Sequence, residues 1–243
     1  MANVELKRVT KRWTSAGSGL PAAVNDISFT AERGQLVALL GPSGCGKSTT
    51  LRLIAGLDMP SDGAIFIEGR DVTGVAPAKR GVSMVFQSYA LFPHLSALGN
   101  VEAALSEHPL PTRRARAHRL LDLVQLEGLS HRRPAELSGG QQQRIALARA
   151  LAREPRALLL DEPLSAVDRR TRRRLREVLT AVRSSVQAPI ILVTHDLDEA
   201  AALADRLVVI DRGQLLQDGS PSEVLASPNS DQVRDALDLA ECR

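Results

Sequence analysis

Aromatic side chains make up 2% of this 243-residue chain: one Trp, one Tyr and four Phe. So few rings leave little for stacking on bases, and a net charge of +3 adds no strong pull toward a polyanion. Nucleic acid is therefore not expected as a partner. Cysteine is scarcer still. Cys45 and Cys242 lie far apart with no paired spacing, which argues against a disulfide framework and for a reducing compartment. The five histidines form no H-E-x-x-H run and no Cys/His cluster, so a structural zinc site is not expected. No apolar run approaches the roughly 18 residues of a membrane-spanning helix. The opening MANVELKRVTKRW lacks the apolar core of a secretory signal. The expectation is a soluble chain whose membrane role, if it has one, is exercised through a partner. The remainder, 44% hydrophobic and 24% charged, is globular in type and long enough to bury a sizeable core.

Residues Leu40–Thr50 read LGPSGCGKSTT, with Gly41, Gly46, Lys47 and Ser48 at the spacing G-x-x-x-x-G-K-[ST] of a phosphate-binding P-loop. Glycines let the backbone turn tightly so that consecutive N–H groups converge on a polyphosphate. Lys47 offers a compact charge to the β- and γ-phosphates, and the Ser48 hydroxyl can ligate Mg²⁺. Candidate nucleotide contacts are thus Gly41, Pro42, Ser43, Gly44, Cys45, Gly46, Lys47, Ser48 and Thr49. Cys45 is expected to do no chemistry itself but to make the loop sensitive to alkylating reagents. Gln35–Leu40 ahead of the loop reads as a buried strand, and Leu51, Ile54 and Ala55 behind it share a helix face. A helix starting there adds its dipole to the phosphate site.

The rest of the chain supplies a matching frame. Residues 3–13 and 24–30 read as antiparallel strands joined by the loose TSAGSGLP segment, and AIFIEG and Val82–Phe86 as further strands. From Ser88 to about Arg153 the texture turns helical, with the Arg113–Arg119 charges on a solvated face. Strand character returns at 157–161, 189–194, 207–211 and 214–219, separated by a striped helix (Leu175, Val178, Leu179, Val182, Val186) and by DLDEAAALA. Strands alternating with helices indicate an α/β fold with a parallel sheet. The expected layout is a P-loop NTPase (RecA-like) core with an N-terminal antiparallel β subdomain over 1–87 and 154–225. A helical subdomain is inserted over 88–153, and a short polar tail of weak helical pattern follows over 226–243. At the end of the strand over 157–161, LLLDE brings Asp161 and Glu162 to the edge where α/β sites lie. Asp161 is a Mg²⁺ ligand candidate, and Glu162 is a candidate to polarise the attacking water.

Leu137–Arg144, LSGGQQQR, lies between the P-loop and LLLDE and resembles the signature motif of ATP-binding cassette (ABC) ATPases. The resemblance covers essentially the whole chain and six motifs in order. It implies a set of roles. Trp13 stacks on adenine; Gln87 in MVFQSYALFPH is the Q-loop amide, reaching Mg²⁺ and the attacking water. His195 in VTHD is the switch histidine on the γ-phosphate. Ser138, Gly139 and Gly140, followed by Gln141, open a helix as a second anion cradle that closes on the ATP of another subunit. Asp168 of SAVD (165–168) couples the two sites. The implied catalytic group is Glu162, His195, Gln87 and Lys47; the metal ligands are Ser48, Gln87 and Asp161; the ligands are ATP and Mg²⁺. The implied assembly is a homodimer, or a pair with a homologous cassette, two-fold symmetric with two ATPs sandwiched in it.

With one cassette and no spans, the chain resembles the importer-type subunits for sugars, polyamines, sulfate, molybdate, thiamine or iron. These sit on the cytoplasmic face of the inner membrane, held by a transmembrane permease and, indirectly, a substrate-binding protein. Permease contact falls on Ser88–Asn100, with Phe92, Pro93 and Leu95 as groove-lining candidates, although plain packing would use the same residues. The end of the chain soon after the core leans the expected cargo toward an oxyanion such as molybdate or sulfate, or a thiamine-like compound. Val167 stands where the family more often has Leu. Two other classes remain open: a soluble ABC ATPase acting on nucleic acid or the ribosome, favoured by RRTRRRLR (169–176), and a metabolic P-loop kinase, which has no use for LSGGQQQR. The apolar stripe of that arginine run makes its charges the outer face of a packed helix.

Overall fold

The computed structural model describes residues 3–13, 21–165 and 167–237. Most of the TSAGSGLP segment, Ala166 of SAVD, and Cys242 lie outside them. In chain order the elements are β1 (Asn3–Lys11), β2 (Val24–Glu32), β3 (Leu36–Leu40), α1 (Lys47–Ala55), β4 (Asp62–Ile67), β5 (Arg70–Asp71) and β6 (Val82–Val85). Then come α2 (Ala97–Ala103), α3 (Leu110–Leu123), α4 (Gly139–Leu151), β7 (Ala157–Asp161), α5 (Arg169–Ser185), β8 (Ile190–Val193) and α6 (Leu197–Leu203). β9 (Arg206–Asp211), β10 (Gln214–Gly219), α7 (Pro221–Ala226) and α8 (Asp231–Ala236) complete the series.

Six strands form one sheet in the order β10-β9-β3-β8-β7-β6, parallel except for β10. The antiparallel step is a two-residue hairpin in which Arg212 (φ 45°) and Gly213 (φ 77°) both take positive φ, the backbone that matches strand twist. Every residue of β3 and β8 is buried, because helices or a second sheet cover both faces. The strand period of two divides the core. Leu36, Leu158, Leu160, Ile190 and Leu192 face α4 and α5. Val37, Leu39, Leu159, Ile191 and Val193 face α1 and the four-stranded antiparallel sheet, β2-β1-β4-β5.

α2, α3 and α4 pack on one another, and α4 also touches β6 and α5, which seats the helical block on the parallel sheet. Three particulars differ from expectation. β1 ends at Lys11, so Trp13 lies beyond the strand. Residues 88–96 are not helical: Tyr89 (φ 60°) and Ala90 (φ 48°) break any helix, and Asn100 holds the loop by its side chain. The residues after Ala226 include α8, whose Val233, with Leu237 just beyond the helix, is buried against Leu207 and Val209 of β9.

Candidate functional site

In the parallel sheet β3, β8, β7 and β6 are successive neighbours, so the segments leaving their C-terminal ends emerge side by side, about 4.8 Å apart per strand. Those segments are the P-loop after Leu40, His195 after β8, Asp161-Glu162 at the end of β7, and Gln87 after β6. Motifs more than 100 residues apart in sequence thereby share one edge.

The P-loop is shaped by a glycine that no other residue can replace. Gly46 takes φ 109° at the start of α1, and a Cβ there would lie 2.3 Å from the Ala23 carbonyl oxygen. Lys47 is buried, and its ammonium donates to the carbonyl oxygens of Gly41 (2.7 Å) and Pro42 (2.8 Å). The charge is thus held inside the loop it serves, next to N–H groups of the first helical turn that have no intrahelical partner. Cys45 corrects its expectation. The thiol is buried, 3.7 Å from Lys47 Nζ, and burial raises its pKa despite the lysine charge. A thiol so placed is a poor target for alkylation.

Ser48 Oγ donates to Asp161 Oδ1 at 2.8 Å, joining P-loop to β7. Burial raises the Asp161 pKa; the Ser48 bond opposes that shift and the Glu162 charge adds to it. A carboxylate desolvated this way gains from a cation. The Ser48–Asp161 pair offers two hard oxygens on one edge, the donor set that suits Mg²⁺, which keeps waters and takes its other ligands from phosphates. Glu162 sits at φ 46° with its N–H donating to the Val193 carbonyl at 3.0 Å. A left-handed, non-glycine backbone of this kind costs on the order of 1–3 kcal/mol and persists where neighbours over-determine it. It sets the carboxylate 3.5 Å from His195 Nδ1. Gln87 Nε2 donates to Ser165 Oγ at 3.4 Å, and that hydroxyl donates to the Glu162 carbonyl at 3.0 Å. Gln87, Glu162 and His195 are therefore linked from three strands. Trp13 is 51% exposed with Lys11 Nζ 4.5 Å from its ring centroid, leaving an aromatic surface open to solvent.

The signature run lies elsewhere. Ser138 caps α4: its Oγ accepts from the Gln141 N–H (3.4 Å), and Gln141 Oε1 accepts from the Ser138 N–H (2.8 Å). Gly140 permits a close approach, since a Cβ there would lie 2.1 Å from Thr171 Cγ2 on α5. Asp168 caps α5, accepting from the N–H of Arg170 (2.9 Å) and of Thr171 (3.0 Å) and from Thr171 Oγ1 (2.7 Å). Those bonds lower its pKa. Among the described residues no hydrogen bond joins 138–141 to the P-loop.

Between the core and the helical block runs a groove of about 740 Å³, walled by Met84, Phe86, Ala104, Glu107, Arg153 and Arg156 among others. A hollow of about 380 Å³ shares Met84, Ala104 and Arg153 with it and adds Phe92 and Arg149. Arg149 fixes this wall: it donates to the carbonyls of Ala90 (2.8 Å) and Tyr89 (3.1 Å), and its guanidinium stands 5.4 Å from the Phe92 ring centroid. Of Phe92, Pro93 and Leu95, Phe92 lines the hollow. Met84, Ala104 and Arg153 were not foreseen, because they meet only when β6, α2 and the end of α4 pack together.

Comparison with known proteins bears on the family and the fold. The family model described as ABC transporter matches residues 24–165. The Fe(3+) ions import ATP-binding protein FbpC of Agrobacterium fabrum is 52% identical over 221 residues, covering 90% of this chain and 63% of that protein. The sulfate/thiosulfate import ATP-binding protein CysA of Pseudomonas syringae pv. tomato is 48% identical over 237 residues, covering 95% of this chain and 71% of its own. The chain thus spans less than two-thirds of the length of the Agrobacterium relative. Among solved structures, the dimeric ATP-binding cassette MJ0796, in a post-hydrolysis state bound to ADP and Pi, superposes with a TM-score of 0.80 at 32% identity. That likeness covers 90% of this chain and 98% of the other.

Proposed function

This chain belongs to the ABC transporter family, and from that premise we propose that it binds and hydrolyses ATP as the nucleotide-binding subunit of an importer. The observation that carries the reading is the edge where Ser48 bonds Asp161 at 2.8 Å and Glu162 stands 3.5 Å from His195. That edge holds a metal-ligand pair and a carboxylate–imidazole pair beside one phosphate loop.

The P-loop N–H groups and Lys47 bind the β- and γ-phosphates, Lys47 exchanging the Gly41 and Pro42 carbonyls for phosphate oxygens. Ser48, Asp161 and Gln87 would hold Mg²⁺, which when bound neutralises charge on the phosphates. Glu162 accepts a proton from the attacking water, and His195 hydrogen-bonds the γ-phosphate. Trp13 stacks on the adenine. Ser138, Gly139, Gly140 and Gln141 complete the site of a second cassette, in line with the dimeric state of the structural relative and with the absence, among the described residues, of any hydrogen bond from them to the chain's own P-loop. Asp168 lies between the two sites.

No described helix is long and apolar enough to cross a membrane; in this reading a separate permease supplies the pore. Its cytoplasmic segment docks in the groove beside Phe92, which places the cassette peripherally on the inner membrane, with a substrate-binding protein engaged only indirectly. For cargo, the expected oxyanion or thiamine-like compound has support from the sulfate/thiosulfate relative alone, while the Fe(3+) relatives widen the class to inorganic ions. The iron and sulfate relatives differ in cargo yet each shares about half its aligned sequence with this chain, as fits a subunit that does not touch cargo. A pull-down from detergent-solubilised membranes with the Glu162→Gln chain and ATP tests this. The expected catch is a multi-span permease, lost on Phe92→Asp. Capture of ribosomes or nucleic acid without a membrane protein would leave the ATPase chemistry and overturn the importer.

A further inference from the structure

We propose that Arg172 and Glu199 are positioning residues for His195, fixing from α5 and α6 the turn that carries its imidazole. The proposal rests on the reading of His195 as a γ-phosphate ligand. The His195 side chain is 53% exposed and lies 3.5 Å from Glu162, so its own contacts do little to hold it. Its chain neighbours are pinned instead. Thr194 is buried and donates its hydroxyl to Glu199 Oε2 at 2.9 Å, while accepting the Asp196 N–H at 3.0 Å. Asp196 caps α6 by accepting the Glu199 N–H at 2.9 Å. Arg172 then reaches across from the first turn of α5: it donates to Asp196 Oδ2 at 3.2 Å, and its Nε lies 3.3 Å from Glu199 Oε1. One guanidinium therefore hydrogen-bonds Asp196, which follows His195, and stands in ion-pair contact with Glu199, which holds Thr194 before it, although its Nε makes no hydrogen bond there.

Stability is a poor reason for this arrangement. Glu199 is 2% exposed, and burial raises its pKa despite the Thr194 bond and the arginine charges. Taking the Glu199 carboxylate out of water is costly, so this contact is weak evidence for stability and fits a role in placing groups. The same turn of α5 begins at Asp168, and its Thr171 methyl abuts Gly140 of the signature run. Arg172 accordingly ties the residues facing a second cassette to the histidine of this chain's own site. Misplacement of a reacting contact by about 1 Å can cost on the order of 100-fold in rate, so a partial loosening is expected to cost about 10-fold.

The test is steady-state ATP hydrolysis by the full chain and its variants. Arg172→Gln and Glu199→Gln should each lower kcat about 10-fold, with KM for ATP changed by less than about twofold. Glu199→Gln should leave the melting temperature little altered, whereas Arg172→Gln should lower it, because it strips a cation from the nearly buried Glu199. Arg172→Lys should recover part of the rate. In a His195→Ala background Arg172→Gln should lower the residual rate no further, because the two act as one unit. An undiminished kcat, a loss that tracks melting temperature, or an equal loss in the His195→Ala background would each overturn the positioning role. If Arg172→Gln fails to fold, the isosteric Glu199→Gln decides. Absence of ATP hydrolysis by the unmodified chain would instead overturn the ATPase reading beneath the proposal.

Discussion

Asn100 is fully buried at the foot of the loop that carries Phe92. Its Oδ1 accepts the Phe92 N–H at 2.8 Å, and its Nδ2 donates to the carbonyls of Phe92 (3.1 Å), Leu95 (3.3 Å) and Ser96 (3.0 Å). Alanine removes all four bonds, but they are not equal losses. The Phe92 carbonyl still accepts the Leu95 N–H (3.2 Å), and the Ser96 carbonyl still accepts the Asn100 N–H (2.9 Å). The groups left without these partners are the Phe92 N–H and the Leu95 carbonyl. Each orphaned group costs about 1–3 kcal/mol, and because the loop is half-exposed the low end applies. Asn100→Ala should therefore cost about 2–3 kcal/mol, or roughly 5–10 °C in melting temperature for a chain of this size. Asn100→Asp should be no better: it keeps the acceptor for Phe92 but sets a carboxylate against three carbonyl oxygens. Urea denaturation with m held constant measures the change. A loss below about 0.5 kcal/mol would show that water replaces the amide and that the loop is not held as described.

Two further outcomes follow from packing and burial. Gly140→Ala places a methyl 2.1 Å from Thr171 Cγ2; it should cost about 1–3 kcal/mol by overpacking, with Thr171→Ser recovering part of the loss in the double variant. Recovery absent from thermal melts would mean that α4 and α5 separate freely. In a Cys242→Ser background, Cys45 should react with iodoacetamide far more slowly in the folded chain than in urea. Because burial raises the Cys45 pKa, the thiolate forms only at higher pH when folded, so the rate-versus-pH curve should shift upward relative to the unfolded chain. Coincident curves would contradict the burial.

Much of this arrangement is legible in local pattern. Continuous apolar runs at 36–40 and 190–193 announce strands covered on both faces, and the Leu175–Val182 stripe announces a helix with one buried side. Gly46 and Lys47 are readable because a phosphate loop demands particular residue types at particular spacing. What escapes is non-local. A helix over 88–96 is reasonable by composition, yet Asn100 and Arg149 bind the carbonyls of that segment from later in the chain. Arg172 sits in a run of arginines whose outer-face reading is sound for Arg173 and Arg174, both exposed, and fails where α6 brings Asp196 within reach. The helix after Ala226 forms because Val233 finds a seat against β9, which no window of its own sequence shows. Cys45 looks like an exposed loop thiol until α1 and the antiparallel sheet close over it.

The central claim is that Glu162, the carboxylate just after β7, drives ATP hydrolysis, and the most direct measurement is phosphate release by the purified chain against its Glu162→Gln variant with Mg²⁺ and saturating ATP. Loss of a positioned proton acceptor costs about 10²–10⁴ in rate. The account predicts a fall in that range, nucleotide affinity kept within about threefold, and an ATP-dependent dimer that persists in the variant by sedimentation. Equal rates of phosphate release from both proteins would contradict it.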